Sequence, residues 1–377
     1  MVRFLHSADW QLGMTRHFLD EDAQARFTQA RIDAVKTLAR IARETDCAFA
    51  VVSGDVFEHN QLDRRTVTRA IDALREFTVP VYLLPGNHDP LDAASIFRSD
   101  AFVSGQPDGV HVLGTTDVCD VSPGVEVVGV PWTSKRPLTD LVGGVLEGLR
   151  SAAGVVRVVV AHGAVDTLSP DADDPARIAL ATVEEALGDG RLAYLALGDR
   201  HSLTSVGSSG RIWYPGAPEP TAFREVDAGK ALVVEIDGDR CDVTPHEVGT
   251  WRFVDREHLL DSDADLDALE QEIAALPNRE RTILRLAFRG TLTLAQKARL
   301  DELLERAREV FGGVDEWSRH TDLAVRPDDT DFADLDVSGF ARDAVDELCE
   351  TASSAGPEAD TARDALSLLL RLAARRT

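Results

Sequence analysis

The chain has 377 residues, 44% of them apolar and 28% charged, enough for a core of its own and long enough for about two domains. Forty Lys and Arg against 65 Asp and Glu leave a formal charge of −25, which argues against an unaided basic-patch nucleic-acid binder but not against an enzyme whose carboxylates hold cations, since bound cations reverse the local sign. Four dispersed cysteines without a C-x-x-C pair, no basic and apolar leader, and no apolar run near ~18 residues predict a soluble cytoplasmic protein with neither a disulfide framework nor a membrane span.

In chain order, β-rich apolar runs alternate with amphipathic stretches: strand 2–5, helix 25–45, strand 49–52, helix 64–77, strand 79–84. This βαβαβ order is the mark of a layered α/β domain. Further strands are predicted over 110–113, 125–130, 155–160, 193–197, 211–214 and 231–236, with helices over 138–152 and 178–187. A sheet that starts as βαβ and ends in short antiparallel pieces predicts two stacked sheets flanked by helices. After residue 248 the texture changes: strand 251–254, acidic helix 263–275, strand 281–289 and charged helix 293–310 read as a second, small α/β domain over 249–327. An acidic, turn-rich stretch from 326 to 336 and two helical segments, 340–352 and 359–376, form a linker and helical tail over 328–377. In the last helix Ala365, Leu366, Leu369, Leu370 and Ala373 share one stripe, with Arg371, Arg375 and Arg376 near its C-terminus, and such a stripe packs on its own domain more often than it docks a partner.

Nearly every apolar run of the first 200 residues ends in hard metal-ligand side chains. Asp9 follows the first strand in HSADWQ, Asp55 the second in SGDVFEHN, Asn87 and His88 the third in PGNHD, His162 a later one in AHG, and Asp199 and His201 another in LGDRHS. Open α/β sheets present ligands at the carboxyl ends of their strands, so these clusters can converge at one edge. Two carboxylate-rich pockets sharing an aspartate would hold two divalent ions ~3.5–4 Å apart, an arrangement suited to attack on phosphate esters. Asp199 and His201, two residues apart, are expected on one side of an extended segment.

With those residues on view, the chain resembles the calcineurin-like metallophosphoesterases, whose strand-end signature runs D-x-H, G-D, G-N-H-[DE], a lone H and G-H-x-H. Here the boxes stand as Asp9-Trp10-Gln11, Gly54-Asp55, Gly86-Asn87-His88-Asp89, His162 and Gly198-Asp199-Arg200-His201. Within that superfamily it is most similar to the DNA-repair nuclease branch of SbcD and Mre11 proteins, through FLHSADWQLG, GDVFEHN, LPGNHD and the later IWYPGAPEPTAFRE. The resemblance implies a four-layer α-β-β-α sandwich over 1–248, a small α/β capping domain and C-terminal helices. It implies two divalent metals, for which the oxygen-rich set that Gln11 and Asp199 create favours Mn2+, with Mg2+ next, over zinc. One would be held by Asp9, Gln11, Asp55 and His201, the other by Asp55, Asn87, His162 and Asp199, with Asp55 bridging. It implies hydrolysis by a two-metal-activated hydroxide with His88 as the catalytic histidine, and Glu58 or His59 beside the site. The partners it implies are DNA, an SMC-like coiled-coil ATPase of the SbcC or Rad50 kind, and a second copy through the helix at 25–45 or at 64–77.

Two positions depart from the family pattern: Gln11 and Asp199 stand where the family has histidine, which shifts the site toward oxygen ligands. A lone strand-end aspartate is more often a cap or turn former, but the whole ordered set is hard to explain that way. Trp10 reads as core filler before base stacker, and His6, His17 and His111 as structural or surface residues. Arg299, Arg306 and Arg308 read as a salt-bridged solvent face. The first reading is a metal-dependent DNA nuclease in DNA repair. The alternatives are a small-molecule phosphodiesterase, and a catalytically decayed scaffold for the ATPase.

Overall fold

The computed structural model describes residues 1–169, 171–326, 340–352, 354 and 356–374. The acidic stretch beyond Arg326, together with Arg375 and Arg376, lies outside them. By contacts the chain forms two units, Met1–His17 with Gln24–Trp251, and Phe18–Ala23 with Arg252–Thr377.

The first unit contains β1 (Val2–Ser7), α1 (Glu21–Glu44, its first turn in the other unit), β2 (Phe49–Val52), α2 (Arg64–Leu74), β3 (Val81–Leu83), α3 (Asp100–Gly105), β4 (Val110–Val112), β5 (Val118–Ser122), β6 (Val125–Gly129), α4 (Leu141–Gly148), β7 (Val156–His162), α5 (Leu180–Gly188), β8 (Tyr194–Gly198), β9 (Thr204–Ser205), β10 (Ile212–Tyr214), β11 (Lys230–Asp237) and β12 (Arg240–Glu247). They make two six-stranded sheets, β12-β11-β1-β2-β3-β4 and β5-β6-β7-β8-β10-β9. Strands β1 to β4 are parallel and β11 joins β1 antiparallel, with Phe4 opposite Val234.

Successive residues on a strand point to opposite faces, and here both faces are covered. Phe4, Phe49, Val51 and Tyr82 of the first sheet meet Val127, Val158, Val160 and Tyr194 of the second. Their neighbours Leu5, Ala50, Val52 and Leu83 pack under Val35 and Leu38 of α1 and Ile71 and Leu74 of α2. On the far side Val128, Val159, Leu195 and Leu197 pack under Val142 and Leu146 of α4 and Val183 of α5. The result is an α-β-β-α sandwich. Each large side chain so buried contributes about 1.5–3 kcal/mol, which fixes the strands and so aims the loops at their ends.

The second unit contains β13 (Arg252–Leu260), α6 (Asp263–Ala275), β14 (Thr282–Thr293), α7 (Leu294–Val310), β15 (Gly313–Glu316), β16 (Asp322–Arg326), α8 (Phe340–Ala352) and α9 (Pro357–Ala374). Strand β14 pairs in parallel with β13, β15 and β16. Leu266, Leu269 and Ile273 of α6 and Leu300, Leu303 and Leu304 of α7 bury against Leu284, Leu286 and Phe288. A capping box at Thr293 and Gln296 starts α7. The apolar stripe of α9 packs within its own unit, through Ala362 and Leu366 against Leu294, Val345 and Ala352. Arg299 pairs with Asp267, and Arg306 with Glu270 at 3.1 Å, the solvent face the sequence suggested. Five strands, β5, β9, β12, β15 and β16, escape the sequence pattern, because none carries a buried residue among the described side chains and so none shows as an apolar run.

Candidate metal centre

Loops at the carboxyl ends of β1, β2, β3, β7 and β8 meet at one place. Asp9 N–H donates to Gly54 O at 3.0 Å and Gln11 N–H to Asp55 O at 2.9 Å, which ties the first loop to the second. Among the described residues seven non-glycine residues have positive φ, and four of them are candidate ligands: Asp9 at 54°, Gln11 at 44°, Asp55 at 52° and Asp199 at 97°. Such backbone costs about 1–3 kcal/mol per residue and persists where the surroundings enforce it, typically at functional sites. Gly54, at φ 91°, could not be replaced: a β-carbon there would overlap the His162 ring.

Donor atoms of Asp9, Asp55 and His162 all lie within 4.8 Å of one another, and all three residues are buried. His162 donates Nδ1–H to Ser53 O at 2.8 Å, which turns Nε2 toward Asn87 Oδ1 at 2.8 Å, Asp55 Oδ1 at 3.5 Å and Asp199 Oδ1 at 3.8 Å. His201 is arranged alike: Nδ1–H donates to Glu225 Oε1 at 2.9 Å, and Nε2 faces Gln11 Nε2 at 3.2 Å and Asp9 Oδ1 at 3.9 Å. Thr221 Oγ1 also lies 2.9 Å from His201 Nδ1. Asp199 and His201 therefore do not share one side of an extended segment. The chain turns at Asp199, whose N–H donates to Asp9 at 3.0 Å, so that the carboxylate faces His162 and the imidazole faces Gln11.

His88 sits at the rim with its side chain 38% exposed. Its N–H donates to Asp55 Oδ1 at 2.9 Å, its Nδ1–H donates to Glu58 O at 2.9 Å, and Nε2 lies 4.0 Å from Asp55 Oδ2. Glu58 thus stands beside His88, whereas His59 is exposed and accepts Gln61 N–H at 3.1 Å. Trp10 is buried at 1% exposure, its indole N–H on Ser7 Oγ at 2.9 Å.

The cluster is short of positive charge. Burial drives the Asp9 carboxyl up to about 7, opposed by the imidazoles of His201 and His162 and assisted by the carboxylates of Asp55 and Asp199. At His162 burial works to lower the pKa, but Asp55, Asp199 and Asp9 together reverse it and raise it to about 9. Burial also opposes the charge of Glu225, but its bond to His201 and the His201 charge outweigh that and hold its carboxyl below the usual range.

These residues fit divalent cations: the site gathers hard oxygens and two imidazole lone pairs, and Gln11 Oε1 is buried with no hydrogen-bond partner among the described residues. Sequence reasoning singled out no role for Glu225, Thr221 or Ser53. Glu225 closes the IWYPGAPEPTAFRE run and so stood in view, but its chain distance from His201 hides the contact; Ser53 acts through a main-chain carbonyl, which no side-chain pattern can reveal. Asp89, also buried, accepts Gly86 N–H at 2.8 Å and Phe57 N–H at 2.9 Å and so holds the third loop to the second.

The family model of the calcineurin-like phosphoesterases matches residues 2–227. The chain is 31% identical over 91 residues to the DNA double-strand break repair protein Mre11 of Archaeoglobus fulgidus, a match covering 23% of this chain and 19% of that one. It is 25% identical over 281 residues to a subunit of the SbcCD nuclease of Rhodobacter capsulatus, covering 62% of this chain and 66% of that one. The matches thus span less than two thirds of either relative's length. A dimetal phosphatase from Danio rerio superposes with a TM-score of 0.40 at 13% identity, covering 65% of this chain and 96% of that chain.

Proposed function

The chain belongs to the calcineurin-like phosphoesterase family, and from that premise we propose that it is a metal-dependent nuclease that hydrolyses DNA phosphodiester bonds. Phosphoester hydrolysis and dependence on two divalent cations are the family's chemistry. The nuclease reading rests on the likeness to a break-repair protein and to one component of a nuclease. The observation that carries it furthest into this chain is the meeting of Asp9, Asp55 and His162 within 4.8 Å, at the ends of strands from both sheets.

In this reading Asp9, Gln11, Asp55 and His201 hold one cation, and Asp55, Asn87, His162 and Asp199 the other. Oxygen donors outnumber imidazoles, which favours Mn2+ and then Mg2+. Bound cations supply Lewis acidity toward phosphoryl oxygens and lower the pKa of water. The chain's own part is orientation and proton delivery. Ser53 and Glu225 fix the two imidazoles in the tautomer that presents Nε2. Glu58 O accepts the Nδ1–H of His88 and so turns Nε2 to the Asp55 side, where the imidazolium form would donate its Nε2 proton to the leaving oxygen and keep the Nδ1 proton on its bond to Glu58 O. An SMC-like ATPase completes the proposal and would supply basic surface that a −25 chain lacks; that the Rhodobacter relative is one component of a named complex supports it.

The test is Mn2+-stimulated cleavage of a labelled oligonucleotide, with and without such an ATPase, by the wild type, His88→Ala and Asp55→Asn. The expected result is cleavage by the wild type and a loss of about a hundredfold or more in each variant. Cleavage that survives in both variants, or no cleavage by the wild type under any of these conditions, refutes the reading.

A further inference from the structure

Against the His201 side of the centre lies a cavity of about 320 Å³, walled in part by Asp199, His201, Tyr214 and Glu225 and by two arginines, Arg200 and Arg224. Each arginine is the chain neighbour of a residue that builds the centre: Arg200 sits between Asp199 and His201, and Arg224 precedes Glu225. Arg200 donates Nε–H to Thr204 Oγ1 at 2.9 Å, which orients its guanidinium and leaves the terminal N–H groups without an acceptor among the described residues. Arg224 is exposed and has no acceptor or carboxylate partner among them. The Tyr214 hydroxyl in the wall is buried and spent, donating to Gly163 O at 2.8 Å and accepting Val165 N–H at 3.1 Å.

We propose that this cavity is an anion subsite that holds, between Arg200 and Arg224, the phosphate next to the scissile one, so that the substrate is an oligonucleotide strand and not a lone phosphoester. The inference rests on the nuclease reading and deepens it. The cation centre engages one phosphate; a polynucleotide brings a second within reach of the same wall. There Asp199 and Glu225 repel an anion, and two guanidiniums, each able to bind phosphate through parallel N–H donors, offset them. A phosphoester with no neighbouring phosphate gains nothing from this wall.

The test is equilibrium binding, in Mn2+, of a fluorescent single-stranded oligonucleotide by a His88→Ala parent that does not consume it, with Kd measured across a salt series. Adding Arg200→Ala and Arg224→Ala should weaken binding by about tenfold for each arginine at low salt. It should also lower the slope of log Kd against log salt by about 0.7 for each guanidinium removed. Thermal melting establishes that the variants fold, and Arg299→Ala, in the other unit and already paired with Asp267, should leave the slope as in the parent. The lysine pair, Arg200→Lys with Arg224→Lys, should keep the slope and recover part of the affinity. An unchanged Kd and slope in the alanine double variant, with the parent binding, overturns the subsite and leaves the nuclease reading standing. A parent that binds the oligonucleotide neither alone nor with such an ATPase, while the wild type still hydrolyses bis-p-nitrophenyl phosphate, overturns the nuclease reading and the subsite with it.

Discussion

His162 and His201 face one cluster of carboxylates and each has its Nδ1 fixed, yet the two halves of the centre are built differently. His162 rests on a main-chain carbonyl, Ser53 O, and has the carboxylate of Asp199 in front of it. His201 rests on the carboxylate of Glu225 and has the neutral amide of Gln11 in front of it. One half carries its added negative charge in direct reach of a cation; the other carries it behind the imidazole, where it raises the basicity of Nε2. Gln11 and Asp199 look, from sequence, like two separate losses of histidine. In space they belong to two halves that reach similar charge by different routes, and that balance favours a working cation site over a decayed one.

The largest effects should come from breaking the two supports. A β-carbon at Gly198 would overlap Ser53 O, the carbonyl that holds His162. Gly198→Ala should therefore cost about 1–3 kcal/mol of stability by overpacking and also weaken metal binding on that half. Glu225→Gln keeps the shape but removes a charge that His201 and Thr221 hold in the fold, so it should lower Mn2+ affinity on the His201 half by about 10- to 100-fold and lower the melting temperature of the metal-free protein, though by less than Gly198→Ala does. Calorimetric titration with Mn2+ beside thermal melting reads both. If Glu225→Gln destabilises the metal-free fold as much as Gly198→Ala does, the contrast between a main-chain support and a charged one is wrong.

A smaller change, and a gain, is expected from Gln11→His. An imidazole in place of the amide adds a stronger nitrogen donor to the half that has the weaker front ligand, and should raise Zn2+ affinity there by about tenfold, with less gain for Mn2+. The same replacement at Asp199 removes a carboxylate from the other half and should lower Mn2+ affinity. Competition between the two metals in each variant checks the pair. Equal shifts in both variants would show that the halves are equivalent after all.

Much of this was legible in the chain. Apolar runs at β1, β2, β3, β7 and β8 are long enough to be read as buried strands, and hard ligands at their ends mark one edge. The two-residue spacing of Asp199 and His201 misled, because it presumes an extended chain and Asp199 adopts φ 97°. That turn is imposed by tertiary contacts, chiefly the bond from its N–H to Asp9, 190 residues away. Glu225 and Ser53 escaped for related reasons: one acts across a loop and the other through its backbone. In the second unit β13 runs to Leu260, well past the apolar residues 251–254, because pairing with β14 carries the polar residues Asp255 to His258 along.

The subtlest consequence of the crowded carboxylates is a pH dependence that metal should cancel. In the metal-free protein Asp9 and Asp89 hold protons up to about 7, against 3.8 ordinarily, and His162 holds one up to about 9, against 6.5. All three are raised in the folded state. Their contribution to stability is therefore fully present below the unfolded values and is lost as pH rises through about 7 and then about 9. His6 works in the opposite sense, since burial pushes it down to about 3, but above pH 6.5 it is neutral in both states and adds no slope. Between about pH 6.5 and 9 the melting temperature in chelator should fall by a few degrees more than the rest of the chain dictates, and Mn2+ should restore more at the upper end than at the lower, because each cation replaces protons the cluster would otherwise need. In Asp55→Asn, where one of the charges that raise His162 is gone, both the slope and the pH dependence of the Mn2+ effect should shrink. A Mn2+ shift of the same size at both ends of the range would mean that the protons on Asp9 and His162 are not what the cations displace.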